Sequence, residues 1–166
     1  MHIIAETPRL IIRELQPEEE NIFLDHYNDP EVLLYIPKRT REERINIYRK
    51  AIASYADSNA LRIWGIFNKA DGDFIGTCLL RPFTYDATKT ELGYSIERKY
   101  WNKGIGTEMA AAMIDYAFKE MSSDQVVAVT IPENIGSQRV LEKAGFKKME
   151  NMMRDGLELA YFEFER

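Results

Sequence analysis

Apolar and polar positions change period repeatedly along this chain, and each change marks an element. "RLIIREL" (residues 9–15) reads as a first strand, and "QPEEENIFLDHYNDP" (16–30) as a first helix. Pro17 opens that helix, Glu18, Glu19 and Glu20 fill its positive first turn, and Asp29-Pro30 ends it. Thr40 and Glu43 fit a capping box, and Ile45, Tyr48, Ile52 and Tyr55 repeat at helical spacing through "REERINIYRKAIASYADS" (41–58). "LRIWGIFN" and "DFIGTCLLRPF" read as two strands flanking "KADGD", where Asp71-Gly72 can supply the positive backbone angles of a tight hairpin. "KTELGYSI" is a further strand, with Leu92, Tyr94 and Ile96 on one face and Glu91, Gly93 and Ser95 on the other.

The pattern breaks at "YWNKGIGTE" and resumes as a long helix, "GTEMAAAMIDYAFKEM", mostly apolar around its circumference and therefore expected to be largely buried. "QVVAVTI" has the β-branched content of a buried strand. Asn134 can cap a helix running to Ala144, after which Gly145 supplies a left-handed residue and Phe146 can fold back on Leu141. The end of the chain reads as two strands around Asp155-Gly156. Helices thus interrupt a mixed, mostly antiparallel sheet. With no repeat and no linker rich in Pro, Gly or Ser, the reading is one domain over residues 1–166.

Composition narrows the classes of function. A hydrophobic fraction of 45% beside 30% charged residues is that of a globular protein. The opening "MHIIAETPRL" lacks a basic region followed by an apolar run, and no segment is long enough to span a bilayer, so the expected location is cytoplasmic, with no membrane partner. Cys78 is the only cysteine and His2 and His26 the only histidines, which excludes an intrachain disulfide and a thiolate cluster and leaves no expectation of a metal. The net charge of -5 disfavours a general nucleic-acid surface and favours a cationic partner such as an amine.

The glycine break poses the chemical question. A helix N-terminus offers unpaired N–H groups and a partial positive charge, and glycine lets an anion approach them closely. Lys103 adds a full charge beside Gly104, Ile105, Gly106 and Thr107, which suits a phosphate or pyrophosphate; the other reading is a strand-to-helix turn that needs glycine only for its backbone angles. A Walker loop fails because the lysine precedes the glycine, and a dinucleotide fingerprint fails because Met109 stands where a third glycine belongs.

Taken together, "ELGYSI", "YWNKGIGTE", the helix after it and "PENIGSQRVLEKAGF" resemble the GNAT superfamily of N-acetyltransferases, and more narrowly its RimJ/RimL type, whose first strand "ETPRLIIREL" also resembles. The resemblance implies a six- to seven-stranded sheet flanked by about four helices, and acetyl-CoA as cosubstrate. It places the pyrophosphate on Lys103, Gly104, Ile105, Gly106 and Thr107, the pantetheine arm along the backbone of Ser95 and Ile96, and Asn134 in contact with the cofactor. Trp101 stands where the wider superfamily carries Arg or Gln, a replacement frequent in the RimJ/RimL type.

Acetyl transfer needs a neutral amine, an oxyanion stabiliser and a proton for the leaving thiolate. Glu91 is the candidate base, directly or through water, on the strand leading to the cofactor; its alternative is a solvent-facing strand glutamate. The tyrosine donor of many relatives is absent, since Glu142 occupies its place in "LEKAGF". The RimJ/RimL resemblance makes Ser137 the partner of the thiolate, against a plain role in the first helical turn, and for Asn134 the alternative is an N-cap without a ligand. Cys78 reads as a small buried hydrophobe rather than an acyl carrier, and Tyr94, Tyr100 and Trp101 as core or pocket wall. The resemblance puts the acceptor, a protein N-terminus or a small-molecule amine, between the first two helices and the fourth and last strands, and it makes a homodimer an open expectation; Tyr35, Tyr48 and Trp64 are the aromatics expected, apart from the resemblance, to line that space. The expected activity is direct attack in a ternary complex. Two rivals stay open: a catalytically silent acyl-CoA-binding regulatory module, and a nucleotide-binding protein.

Overall fold

The computed structural model describes residues 2–56 and 61–166. They form two compact units, one from the described part of Met1–Leu79 with Tyr94–Trp101, the other from Leu80–Gly93 with Asn102–Arg166. Within the described residues are nine strands and five α-helices, more than the expected six or seven strands and about four helices.

In the first unit, β1 (Ile3–Glu6) pairs antiparallel with β2 (Leu10–Arg13), and β2 with β3 (Arg62–Asn68). Four residues of "IIAE" carry too little periodicity to stand out, so β1 went unpredicted. β4 (Phe74–Phe83) neighbours β3. At the turn before β4, Gly72 alone takes a positive φ, 76°, so Asp71 does not share that conformation as expected. One turn of 3-10 helix at Pro17–Glu19 leads into α1 (Glu20–His26). The Asp29-Pro30 pair ends the first helical segment, but it also starts α2 (Pro30–Leu33): Pro30 needs no N–H partner at a first helical position, and Asp29 accepts from the Glu31 amide at 3.0 Å. α3 (Arg41–Ser54) opens on the expected capping box, with Thr40 N–H donating to Glu43 at 2.8 Å and Glu43 N–H to Thr40 at 3.1 Å. Residues 57 and 58, the end of the predicted helix, lie outside the described residues.

Phe23 and Leu24 of α1, Tyr48 and Ala51 of α3, and Ile63 and Phe67 of β3 form one buried cluster, each large side chain contributing about 1.5–3 kcal/mol by leaving water. This corrects one expectation. Tyr48 and Trp64 are each 1% exposed and belong to the core, so they line no open space; the Tyr48 hydroxyl donates to the Gln16 carbonyl. Tyr35 is half-buried.

In the second unit, β5 (Asp86–Ile96, of which residues 86–93 lie here), β6 (Gln125–Thr130), β9 (Leu157–Phe164) and β7 (Lys147–Lys148) are successive neighbours, and β8 (Met152–Arg154) pairs with β9. The β8–β9 turn has positive φ at both Asp155 (51°) and Gly156 (77°), the tight hairpin expected there. α4 (Ile105–Glu120) buries Met109, Ala110, Met113 and Ala117 completely, one face of a 3.6-residue period. α5 (Ile135–Lys143) closes as read from sequence: Gly145 has φ 103°, and the Phe146 amide donates to the Leu141 carbonyl at 3.0 Å.

One glycine constrains the first unit. A Cβ built on Gly76 of β4 would lie 2.0 Å from the carbonyl oxygen of Ser95 and 2.9 Å from Cα of Ile96, so only a residue without a side chain lets β4 approach this part of β5. Both contacts are backbone, which cannot yield as a side chain would. Gly76→Ala is expected to destabilise the protein by about 2–3 kcal/mol or more in urea titrations. An unchanged midpoint would show that the two strands separate without cost.

Candidate active site

The glycine break takes the form of a helix start with an open first turn. Asn102 (φ 58°) and Gly104 (φ 77°) are both left-handed, and Gly104 is the N-cap of α4. In α3 and α5 the N-cap side chains, Thr40 and Asn134, accept from first-turn amides. Glycine has no side chain to do this, so the early amides of α4 are left to a ligand or solvent, beside the exposed Lys103. Ile105 and Gly106 are buried and Thr107 half-buried. These five positions therefore come together as one cradle of backbone N–H and a cation, the donor set a pyrophosphate needs.

In the same unit, β5 pairs in parallel with β6 through Lys89, Thr90 and Glu91 opposite Gln125, Val126 and Val127. Among the described residues the pairing stops there, although β6 runs on to Thr130, where it pairs only with β9. The edge of β5 beyond Glu91 is thus released from its neighbour. Its backbone groups are those of an edge strand, able to accept an extended ligand as an added strand.

Glu91, at the point of release, is 3% exposed rather than solvent-facing. Arg154 grips it in a fork, Nη2 to Oε1 at 2.6 Å and Nη1 to Oε2 at 3.2 Å, and Arg81 Nη2 donates to Oε2 at 2.9 Å. Burial pushes its carboxyl up, but the guanidiniums of Arg154 and Arg81 outweigh that and hold it below the usual carboxylate range. Both oxygens are occupied, and the three groups together carry one net positive charge. Such a carboxylate is a weak direct proton acceptor. Neither arginine was visible as a partner in the sequence: Arg81 has only its place on the neighbouring strand, and Arg154 lies far along the chain with no spacing rule linking it to Glu91.

At the start of α5, Asn134 Oδ1 accepts from the Ser137 amide at 3.1 Å, so Asn134 is the N-cap, and Ser137 stands half-buried in the first turn. Cys78 is 1% exposed in β4, and burial pushes its thiol well above the ordinary range, which leaves it no thiolate to act as an acyl carrier.

In the other unit, Ser95 and Ile96 end β5. Trp101 Nε1 donates to the Ile96 carbonyl at 2.8 Å, which ties the residue before the glycine loop back to the strand and takes up that acceptor. The Tyr100 hydroxyl donates to Asp73 at 2.6 Å. Ser95 Oγ lies 2.8 Å from Nε2 of His26, a fully buried residue that sequence reading weighed only as a metal ligand. No group of three or more metal-ligating side chains occurs among the described residues. No helix among them is long and apolar enough to cross a membrane.

An uncapped helix start can take an anion, and a strand edge released from its neighbour can take an extended ligand. The sequence signature of the GNAT acetyltransferase domain matches residues 9–147, which run through both units, and the chain belongs to that family of acetyl-CoA-dependent N-acetyltransferases. It is 30% identical over 148 residues to the uncharacterized N-acetyltransferase YnaD of Bacillus subtilis, covering 89% of this chain and 84% of that one. Its fold superposes on a ribosomal-protein-S5-alanine acetyltransferase from Vibrio fischeri (TM-score 0.82, 18% identity, 97% and 95% of the two chains). It also superposes on a spermidine N-acetyltransferase from Vibrio cholerae in complex with CoA and spermine (TM-score 0.77, 17% identity, 96% of each chain).

Glu91→Gln should cost about 2–3 kcal/mol at neutral pH, the scale of a hydrogen bond to a charged group, because two guanidiniums lose their counter-ion. Glu91 is depressed in the folded state, so its contribution is present above the unfolded carboxylate pKa and is lost as pH falls through the folded value. The difference in unfolding free energy between wild type and Glu91→Gln should therefore shrink as urea titrations are carried below about pH 4. A difference constant with pH would remove the ion pairs as its cause.

Proposed function

We propose that this enzyme transfers acetyl from acetyl-CoA to a primary amine by direct attack in a ternary complex. The uncapped, glycine-opened start of α4 beside Lys103 carries this reading. Lys103, Gly104, Ile105, Gly106 and Thr107 hold the pyrophosphate, and the backbone of Ser95 and Ile96 follows the pantetheine, Ile96 through its amide since its carbonyl serves Trp101. Asn134 stays a cap whose amide end meets the cofactor, and it orients Ser137 to protonate the departing thiolate. Glu91 fixes Arg81 and Arg154 rather than receiving the amine's proton, and the net positive charge of that cluster favours developing negative charge on the reacting carbonyl. The buried, proton-retaining Cys78 supports direct attack over a covalent relay.

The acceptor is a primary amine. At pH 7 roughly a tenth of an α-amine is neutral, whereas a lysine amine is almost wholly protonated, so an α-amine demands less of the enzyme. The names of the two structural neighbours, one a ribosomal-protein and one a spermidine acetyltransferase, support both acceptor classes.

Isothermal titration should show binding of acetyl-CoA and CoA but not ATP, followed by thiol release with one or more of a panel of N-terminal peptides and polyamines. Lys103→Ala should weaken CoA binding about tenfold, one charge-assisted contact, and more at low salt than at high. Cys78→Ala should leave the rate unchanged, with no acetyl group on the intact wild-type protein when acceptor is withheld. Acetylated protein under those conditions would replace direct attack with a covalent mechanism, and absence of CoA binding would overturn the reading of the α4 cradle.

A further inference from the structure

With both oxygens of Glu91 held by guanidiniums, the amine's proton needs another destination, and the first unit holds a set of groups built for one. Ser95 Oγ is 2.8 Å from His26 Nε2, and His26 Nδ1 is 3.5 Å from a carboxylate oxygen of Glu97. His26 is fully buried on α1, packed edge-on to the rings of Tyr27 (4.8 Å) and Phe74 (5.7 Å), while Ser95 and Glu97 are half-buried. His26 Nδ1 has no hydrogen-bond partner, and the acceptor it faces is Glu97. A carboxylate there favours the proton on Nδ1, which makes Nε2 the acceptor and the Ser95 hydroxyl the donor. The serine's lone pairs are then left for an N–H donor from outside. A nucleophile-base-acid geometry of this kind is how proteins move a proton from a bound group into a buried imidazole.

We propose that Ser95, His26 and Glu97 form the proton relay that serves the acceptor amine, with Ser95 Oγ the group that touches it. This rests on the acetyltransferase reading above. The ammonium gives one proton to Ser95 Oγ as the serine passes its own to His26 Nε2, and the imidazolium so formed faces Glu97 through Nδ1–H. The freed nitrogen bonds to the acetyl carbon, the C–S bond breaks, Ser137 gives its hydroxyl proton to the leaving thiolate, and the second N–H proton replaces it on Ser137. His26 returns its proton through Ser95 to solvent.

The charged surroundings keep the relay ready. Burial first, then Arg44 of α3, lower His26 to about 4, against the opposing pull of Asp29, so the resting ring is neutral and a transferred proton stays on it only briefly, stabilised by the carboxylate that Nδ1 faces. Arg44 stacks on Tyr27 at 4.2 Å, and the Tyr27 hydroxyl meets Thr77 at 3.2 Å. Glu97 is raised by burial and by Asp29, Asp73 and Asp25, with Lys99 opposing, so it can balance an imidazolium without drawing a solvent cation into the site.

The test is the pH profile of kcat for wild type, His26→Gln and Ser95→Ala with the best amine of the panel, alongside acetyl-CoA titration and thermal melts. The expected result is a loss of about 10²-fold near pH 6.5 in both variants that narrows as pH rises toward the amine's own pKa, with acetyl-CoA affinity unchanged. A variant without the relay depends on amine already deprotonated in solution, so log kcat should climb with unit slope where wild type is flat. A loss equal at every pH, or no loss, overturns the relay and leaves the acetyltransferase standing. Ser95→Ala, which empties no large core site, decides the matter if His26→Gln melts early. Absence of thiol release by wild type with every amine overturns the amine-transfer reading and the relay with it.

Discussion

β5 loses β6 at Glu91, and the rest of the site depends on that parting. Parallel strands normally stay paired along their shared length, because each unpaired backbone group forfeits a hydrogen bond. Here the β5 register with β6 ends at Glu91 opposite Val127, while β6 continues to Thr130 paired with β9. Arg81 and Arg154 fasten Glu91 at the fork, and Gly76 lets β4 press against the Ser95 carbonyl. The backbone groups so exposed are not satisfied within the pair, which makes ligand binding a completion of the sheet.

Two carboxylates near β5 show how environment divides labour between like groups. Glu91 is saturated by cations and held ionised; Glu97, half-buried and among other acids, is pushed the other way by burial and by those acids despite Lys99. The first kind of site organises positive charge, and the second is suited to pair with an imidazolium that exists only briefly. Sequence position alone ranks them oppositely, since Glu91 sits within β5 and Glu97 just beyond its end.

Much of the architecture was legible because its signals are local. The Thr40/Glu43 box, the Gly145 stop, the Asp155-Gly156 turn and the glycine-opened start of α4 each depend on residues within a turn of one another, and each takes the expected form. Losses came where length or distance defeats local rules. β1 and β7 are too short to show a period, and α2 hides behind a Pro that reads equally as a stop. Tyr48 and Trp64 were assigned to a pocket because large aromatics occupy either place, and only packing separates the two. The partners of Glu91 and of His26 come from strands and helices remote in sequence, so the chemistry that decides which group handles a proton was invisible until the chain was folded.

Trp101 and Trp64 differ in a way that makes the molecule its own instrument. One indole, 39% exposed, is anchored by its N–H to Ile96 immediately before the glycine loop; the other, 1% exposed, is sealed in the core. Emission from the first is sensitive to events at the loop and open to aqueous quenchers, while emission from the second changes only when the core itself opens. Ligand capture and unfolding can therefore be followed separately in one unlabelled sample, by colour and by quencher access.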